Sequence, residues 1–290
     1  MLPRLWAGFG LQQGCACPGC VPQARPGQTH GMSTTDDPLE TTRNLLDRQA
    51  MVRHGFLDVL GESTPSPVPT FAQRAMNSAL VATVYERLWR PVSFYLASGV
   101  TTGAEQRRAA EALRLSSATR LLDVACGPGN FTGQLAQQLP DGGLAVGLDI
   151  SEPMLTRAVL DNSGPRTCYV RGDAGTLPFG DETFDAVCCF GALYLMPEPF
   201  RVAREMVRVL RPGGRVAILT SYDGQSAPVR RTLTAAARVI GLRMFDRHAF
   251  VNLLTSSGLV DVEQRAQRSL QFVTAGRPGP HGGGPGQVIE

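Results

Sequence analysis

The residues able to do chemistry in this chain concentrate between Asp123 and Asp173. Leu121 to Thr132, LLDVACGPGNFT, is an apolar run that meets a Gly-Pro-Gly turn and then an amphipathic segment. A strand feeding a glycine turn and then a helix is how α/β proteins hold a nucleotide-like cofactor. Gly127 and Gly129 allow a tight turn and close backbone approach, and the helix start beyond supplies free N–H groups. One acid, Asp123, sits inside the apolar run. A carboxylate at that strand end repels a pyrophosphate but suits a cofactor carrying an ammonium and a sulfonium, which points to S-adenosylmethionine (SAM). Gly147-Leu148-Asp149-Ile150-Ser151 ends the next strand pattern, and Asp149 lies about twenty residues past Gly129, where an acid can take both hydroxyls of an adenosine ribose. Gly172-Asp173-Ala174, followed by Leu177-Pro178-Phe179, places a third acid where it can accept from an adenine amine between apolar neighbours. An Asp that merely starts a turn fits that position equally well.

These residues need a scaffold. Strand patterns at 120–126, 144–150, 166–172, 184–190 and 214–221 alternate with helical patterns near 131–139, 152–161 and 199–209. That alternation predicts a mostly parallel sheet with helices on both faces. Phe245 to Ser257 reads as a further helix stopped by Gly258, and the runs 259–266 and 269–275 read as a hairpin closing one sheet edge. Four segments follow from this. Residues 1–40 form a disordered leader and 41–115 a helical N-terminal cap; 116–276 form the α/β core with an insertion at 224–244, and 277–290 a disordered tail. The cap expectation rests on near-helical spacing of Leu45, Leu46, Met51, Val52, Phe56, Leu57 and Leu60, and on helical patterns at 71–98 and 104–113.

Composition narrows the chemistry. The net charge of +3 is too small to argue for nucleic acid or an anionic membrane. All 28 basic residues are Arg, so Schiff-base lysines, a Walker phosphate loop and a Tyr-x-x-x-Lys pair are excluded. Seven cysteines follow no disulfide framework; Cys126, Cys168, Cys188 and Cys189 fall in strand patterns, where Cys acts as a small apolar residue. Cys15, Cys17 and Cys20, with His30 downstream, lack a properly spaced second ligand pair for zinc, and an unstructured leader is the simpler reading, with Met32 as a candidate initiator. No metal site is expected. No apolar run approaches the roughly 18 residues that span a bilayer, and Leu5 to Leu11 is too short for a signal segment, so a cytoplasmic protein is expected.

Asp123-x-x-x-Gly127-x-Gly129, Asp149, Gly172-Asp173-Ala174, Phe184-Asp185-Ala186-Val187 and Leu210-Arg211-Pro212-Gly213-Gly214 stand in the order and spacing of class I SAM-dependent methyltransferases. The chain most resembles the type-11 group that includes the ubiquinone/menaquinone methyltransferases, over about residues 84–276. The resemblance implies a Rossmann-like, doubly wound, seven-stranded sheet of order 3-2-1-4-5-7-6 with the last strand antiparallel. It also implies that Asp123, Cys126, Gly127 and Gly129 hold the methionyl end of SAM and Asp149 the ribose. Ile150 and Met154 would pack near the adenine, Asp173 and Ala174 would meet its edge, and Phe190 would lie beside the methionyl chain, opening into the acceptor pocket. Leu210 to Gly214 would be a structural turn. Tyr85 resembles a cap aromatic that closes over the cofactor, or simply packs.

Methyl transfer is an in-line displacement from a sulfonium, so the protein chiefly aligns the acceptor and excludes water. Tyr194, Glu198, Tyr222, Asp223 and His248 are candidates for a base where the acceptor needs one, yet no spacing singles one out, and His248 at a helix start reads as solvent-facing. The acceptor expected is small or lipid-like, its atom undetermined. Arg230, Arg231, Arg238 and Arg243, interleaved with apolar residues, form either a solvated helix face or a basic amphipathic lid for an anionic or lipid-like acceptor. Two other readings compete: a nicotinamide-dependent oxidoreductase and a non-catalytic SAM-binding module. Asp123, Thr132 in place of a third glycine and the missing Tyr-x-x-x-Lys argue against the first; the complete acid and glycine set argues against the second.

Overall fold

A computed structural model of the chain describes residues 37–61, 102–223, 242–267 and 269–279. The Cys15, Cys17 and Cys20 cluster, His30, Met32, the 71–98 pattern with Tyr85, Arg230, Arg231 and Arg238 of the insertion, and the tail beyond 279 lie outside those residues. The described elements run α1 (Pro38–Arg43), β1 (Met51–Arg53), β2 (Phe56–Asp58), α2 (Thr102–Ala112), β3 (Arg120–Val124), α3 (Asn130–Ala136), β4 (Leu144–Asp149), α4 (Glu152–Asn162) and β5 (Thr167–Arg171). β6 (Phe184–Phe190), α5 (Pro199–Arg208), β7 (Leu210–Ser221), α6 (Ala249–Ser256), β8 (Val260–Gln267) and β9 (Leu270–Gly276) complete them.

Nine described strands form one sheet in the order β1-β2-β5-β4-β3-β6-β7-β9-β8. The segment from β5 to β8 reproduces the order expected for seven strands, with β9 antiparallel to both β7 and β8. The two additional strands come from residues expected to be helical. Leu45, Leu46, Met51, Val52, Phe56 and Leu57 do recur at near-helical intervals, but His54 and Gly55 both adopt positive φ, 45° and 84°. A two-residue turn of that hand matches the twist of paired strands and turns β1 back on β2. β2 then joins β5 in parallel, pairing Leu57 with Val170 and Asp58 with Arg171.

Strand alternation divides the core between the sheet's two faces. Leu122, Val124, Val146, Leu148, Val187, Cys189, Val216 and Ile218 are buried on one face, packed with Val202 and Met206 of α5 and Phe250 and Leu254 of α6. Phe200, Phe245 and Phe250 join these helices, with ring centroids 4.9–5.9 Å apart. Leu121, Ala145, Ala186, Cys188, Ala217 and Leu219 occupy the other face with Leu113, Phe131 and Leu135. Cys168, Cys188 and Cys189 are buried strand residues, as expected, whereas Cys126 lies just past β3, in the turn.

Two motifs prove to be strand-start fasteners. Asp185 accepts from the Thr119 N–H and hydroxyl, the Arg120 N–H and Arg211 Nη1, joining the beginnings of β3, β6 and β7. The expected turn at Leu210–Gly214 is instead a bulge within β7. Leu210 pairs with Phe184 and Arg215 with Ala186, so the residues between loop out, with Gly213 at φ 80°. A side chain at Gly214 would stand 2.8 Å from the Asp185 carbonyl oxygen.

Burial works to raise the pKa of Asp185, but its Thr119 and Arg120 donors and Arg211 outweigh it and hold the carboxyl below its usual value. A depressed folded-state pKa stabilises the fold fully above the unfolded value of about 3.9, and the contribution fades as pH falls through the folded value. Asp185→Asn is therefore expected to destabilise the fold by about 1–2 kcal/mol at neutral pH. Urea midpoints of parent and variant should converge as pH drops below about 4; a gap independent of pH would contradict the assignment.

Candidate cofactor site

The candidate site lies where β3, β4, β5 and β6 reach their C-terminal ends, the edge at which open parallel sheets bind ligands. Its foundation is a row of residues in register across the sheet: Tyr169, Gly147, Asp123, Cys188 and Ala217. Asp123 is 2% exposed. Its carboxylate accepts from the Thr132 hydroxyl of α3 at 2.7 Å and faces the Cys188 thiol at 3.7 Å. Thr132, read from sequence only as a missing third glycine, is thus the residue that anchors the acid.

From β3 the chain turns through Ala125, Gly127 and Gly129, all at positive φ (58°, 55° and 76°), and Gly129 caps α3. Gly129 is required twice over. Besides its φ, a Cβ there would stand 2.5 Å from Tyr169 Oη and 2.9 Å from Ala158 Cβ. A Cβ at Gly147 would stand 2.8 Å from the same ring and 2.9 Å from Cys126 Sγ. Tyr169 therefore fills the space beneath the turn, its hydroxyl donating to the Asn162 carbonyl at 2.9 Å. The Asn162 side-chain amide donates back to the Pro128 carbonyl at 2.8 Å and to Asn130 Oδ1 at 3.0 Å. Neither Tyr169 nor Asn162 stands out in the sequence; a tyrosine opposite a glycine of the neighbouring strand is visible only once the register is known.

Asp149, at the end of β4, accepts from the Gly127 N–H and the Ser151 N–H, each at 2.9 Å. Burial pushes its carboxyl up, and the backbone donors at Ser151, Gly127 and Ile150 pull it back. One acid thus binds both its own helix start and the glycine turn of the neighbouring strand. The four lone-pair sites of the carboxylate outnumber these donors, so it keeps acceptor capacity for a further partner. Ile150 is 37% exposed beside it, and Met154 is buried on α4.

Asp173 is exposed and makes the turn its sequence allows, accepting from the Gly175 N–H at 2.8 Å. Ala174 is half-buried, while Leu177 and Phe179 are fully buried. α5 holds this loop: Arg208 donates to the Leu177 and Phe179 carbonyls, and Glu205 accepts from the Leu177 N–H at 2.8 Å. On the far side Phe190 is 7% exposed and lies between Phe131 and Phe272, centroids 5.2 and 6.2 Å away.

Burial, with Asp149 and Asp123 nearby, raises the Cys126 thiol well above its usual range, and burial likewise raises Cys188. Both remain thiols at neutral pH, so neither offers a thiolate nucleophile at the site. The base candidates have separate surroundings or backbone roles, and none is singled out by them. Glu198 pairs with Arg201 at 3.2 Å, His248 is exposed at the start of α6, and Tyr194 packs against the α5–α6 core. Tyr222 and Asp223 close loops through their N–H groups, onto the Ser269 and Phe245 carbonyls. The described residues hold no group of three or more His, Cys, Asp or Glu suited to a metal ion.

Residues 122–218 match the methyltransferase domain family model. The chain is 45% identical over 103 residues to a demethylmenaquinone methyltransferase of Roseiflexus castenholzii, covering 36% of this chain and 43% of the relative. It is 33% identical over 215 residues to an uncharacterized chloroplastic methyltransferase of Arabidopsis thaliana, covering 70% and 59%. The chain thus spans about half the length of the curated relatives it matches. Among solved structures, phosphoethanolamine N-methyltransferase 2 of Haemonchus contortus, bound to S-adenosyl-L-methionine, superposes with a TM-score of 0.58. That match is 17% identical and covers 72% of this chain and 59% of the other, so it speaks to the fold.

Gly129→Ala should cost about 2–4 kcal/mol, combining positive-φ strain with overpacking against Tyr169. Adding Tyr169→Phe removes the closest clashing atom. The double variant should then be less destabilised than the sum of the singles, as measured by urea denaturation. Strict additivity would mean that the ring and the turn do not touch.

Proposed function

We propose that the chain, whose residues 122–218 form a class I SAM-dependent methyltransferase domain, transfers the methyl group of SAM to a small or lipophilic acceptor. The observation that carries this reading is Asp149. A carboxylate at the end of β4, tied to the glycine turn of β3 and retaining acceptor capacity, is suited to a ribose hydroxyl. A pyrophosphate would meet the buried carboxylate of Asp123, and Thr132 stands where a third glycine would, which disfavours a dinucleotide.

SAM, when bound, supplies an electrophilic methyl group on a sulfonium. The chain's residues position it and keep water away. Asp149 would hold the ribose, while Ile150 and Met154 flank the adenine and Asp173 and Ala174 line its edge. The turn Cys126 to Gly129 would face the methionyl end with its backbone. Asp123, held by Thr132 and Cys188, lends that end a fixed negative field instead of a direct contact. Because Cys126 and Cys188 stay protonated, no thiolate of theirs competes with the acceptor for the methyl group. Phe190, with Phe131 and Phe272, gives the methionyl side an aromatic wall, which supports an apolar acceptor. The relatives named demethylmenaquinone methyltransferases support the same class. Among the described residues no helix is long and apolar enough to cross a membrane.

Calorimetry with SAM, beside NADH, tests the cofactor: heat with SAM at micromolar to high micromolar concentration is expected, and its absence would remove the reading. Asp149→Asn should weaken SAM binding by about 1–3 kcal/mol, because one acceptor becomes a donor facing backbone N–H groups. Unchanged affinity would displace the ribose from Asp149. Incubation with methyl-labelled SAM and fractionated cell extract should place the label in the organic-soluble fraction; label only in protein or nucleic acid would replace the proposed acceptor class.

A further inference from the structure

Residues 37–61 precede the span that matches the methyltransferase model, yet they press on two sides of the region assigned to adenosine. On one side the Asp47 N–H donates to the Pro178 carbonyl at 3.1 Å, and Leu46 bridges to Phe179, in the loop that begins at Asp173. On the other, Phe56 is fully buried in one cluster with Cys126 of the glycine turn and with Leu155, Ala158 and Tyr169.

The polar tie between these sides is centred on Asp58, 2% exposed in β2. Its Oδ1 accepts from the Leu60 and Gly61 N–H groups at 2.9 and 3.1 Å, and its Oδ2 accepts from Arg171 Nη1 at 3.1 Å. Arg53 adds a second cation at 3.8 Å. Arg171 is the residue opposite Asp149 in the β4–β5 register and immediately precedes Gly172-Asp173. Its Nη1 also donates to the Gly61 carbonyl, and its Nε donates to the Ile150 carbonyl, both at 3.4 Å. A single guanidinium therefore joins the hairpin to the residue that follows Asp149. A buried ion pair contributes little net stability against its desolvation, but it fixes geometry once each partner is fully hydrogen-bonded. The planar fork of Arg serves two directions at once, which a Lys ammonium on a flexible stem does not.

We propose that residues 37–61 act as a clasp that sets the adenosine end of the SAM site. Asp58 and Arg171 are its positioning residues, acting through Ile150 and the 172–179 loop. The inference rests on the SAM reading above. It makes the segment a working part of the cofactor site, although it lies some sixty positions before the first acid of the site and outside the matched domain.

Titration of the full chain with SAM and with adenosine, for the parent, Arg171→Lys and Asp58→Asn, tests it. Arg171→Lys keeps a cation beside Asp58 but loses the second donor to Ile150. It should weaken SAM and adenosine by the same factor, about tenfold, with a smaller drop in melting temperature than Asp58→Asn. Affinities within twofold of the parent in the folded variants would overturn the proposal, whatever their melting temperatures. Hydrogen exchange on the unmodified chain tests the clasp without any substitution. SAM should slow exchange at the Val59, Leu60 and Gly61 amides as well as at Gly127 and Ser151. Protection confined to Gly127 and Ser151 would overturn the clasp and leave the SAM site standing. No binding of SAM to the parent chain would instead overturn the cofactor reading itself.

Discussion

One aromatic ring takes the room of two missing side chains, and the site's geometry depends on it. Tyr169 lies where a side chain at Gly147 or Gly129 would have to be, and its hydroxyl reaches the end of α4. With the ring in that space, the turn has no room for a side chain at Gly129. Asn162, at the same helix end, ties the turn from above through Pro128 and Asn130. The turn is therefore held between a rigid floor and a polar strap. Its positive-φ residues, each costly outside glycine, persist because the packing around them allows no alternative.

Charge is arranged with similar economy. Two carboxylates end adjacent strands, and the chain satisfies each with its own donors: Asp123 with Thr132 and Cys188, Asp149 with Gly127 and Ser151. Neither acid depends on a ligand to be tolerated, so the site is organised before anything binds, which lowers the reorganisation that binding must offset. The buried thiols around them stay neutral for the same reason that the acids need donors: little water reaches this layer.

Much of this could be read from residues alone, because strand ends are where periodicity and chemistry coincide. The run from Leu121 to Thr132, the acid at Asp149 and the turn at Asp173 each announce both an element and its terminus. The parts that escaped have a common cause. Tyr169 looks like any strand aromatic until it is placed across from Gly147, and Asp58 and Arg171 are 113 residues apart in sequence. Leu46, Val52 and Leu57 fit a helical spacing as well as a hairpin; the His54-Gly55 pair decides between them, and its signal is two residues long. Leu210 to Gly214 contains a Pro and two glycines, which read as a turn, whereas pairing on both sides of the segment makes it a bulge. Asp173 shows the opposite case: the bland expectation of an Asp-started turn is what the structure contains, whatever else the residue does.

The placement of β9 between β7 and β8 has a consequence for how the protein is made. β7 acquires its second neighbour only when residues 270–276 exist, so every residue from 222 onward must leave the ribosome first. At a synthesis rate of roughly 5–20 residues per second, the open edge of an already apolar strand waits for several seconds. Thr220 and Ser221, polar residues buried at that late-closing seam, keep the waiting edge less adhesive than an all-aliphatic one would be.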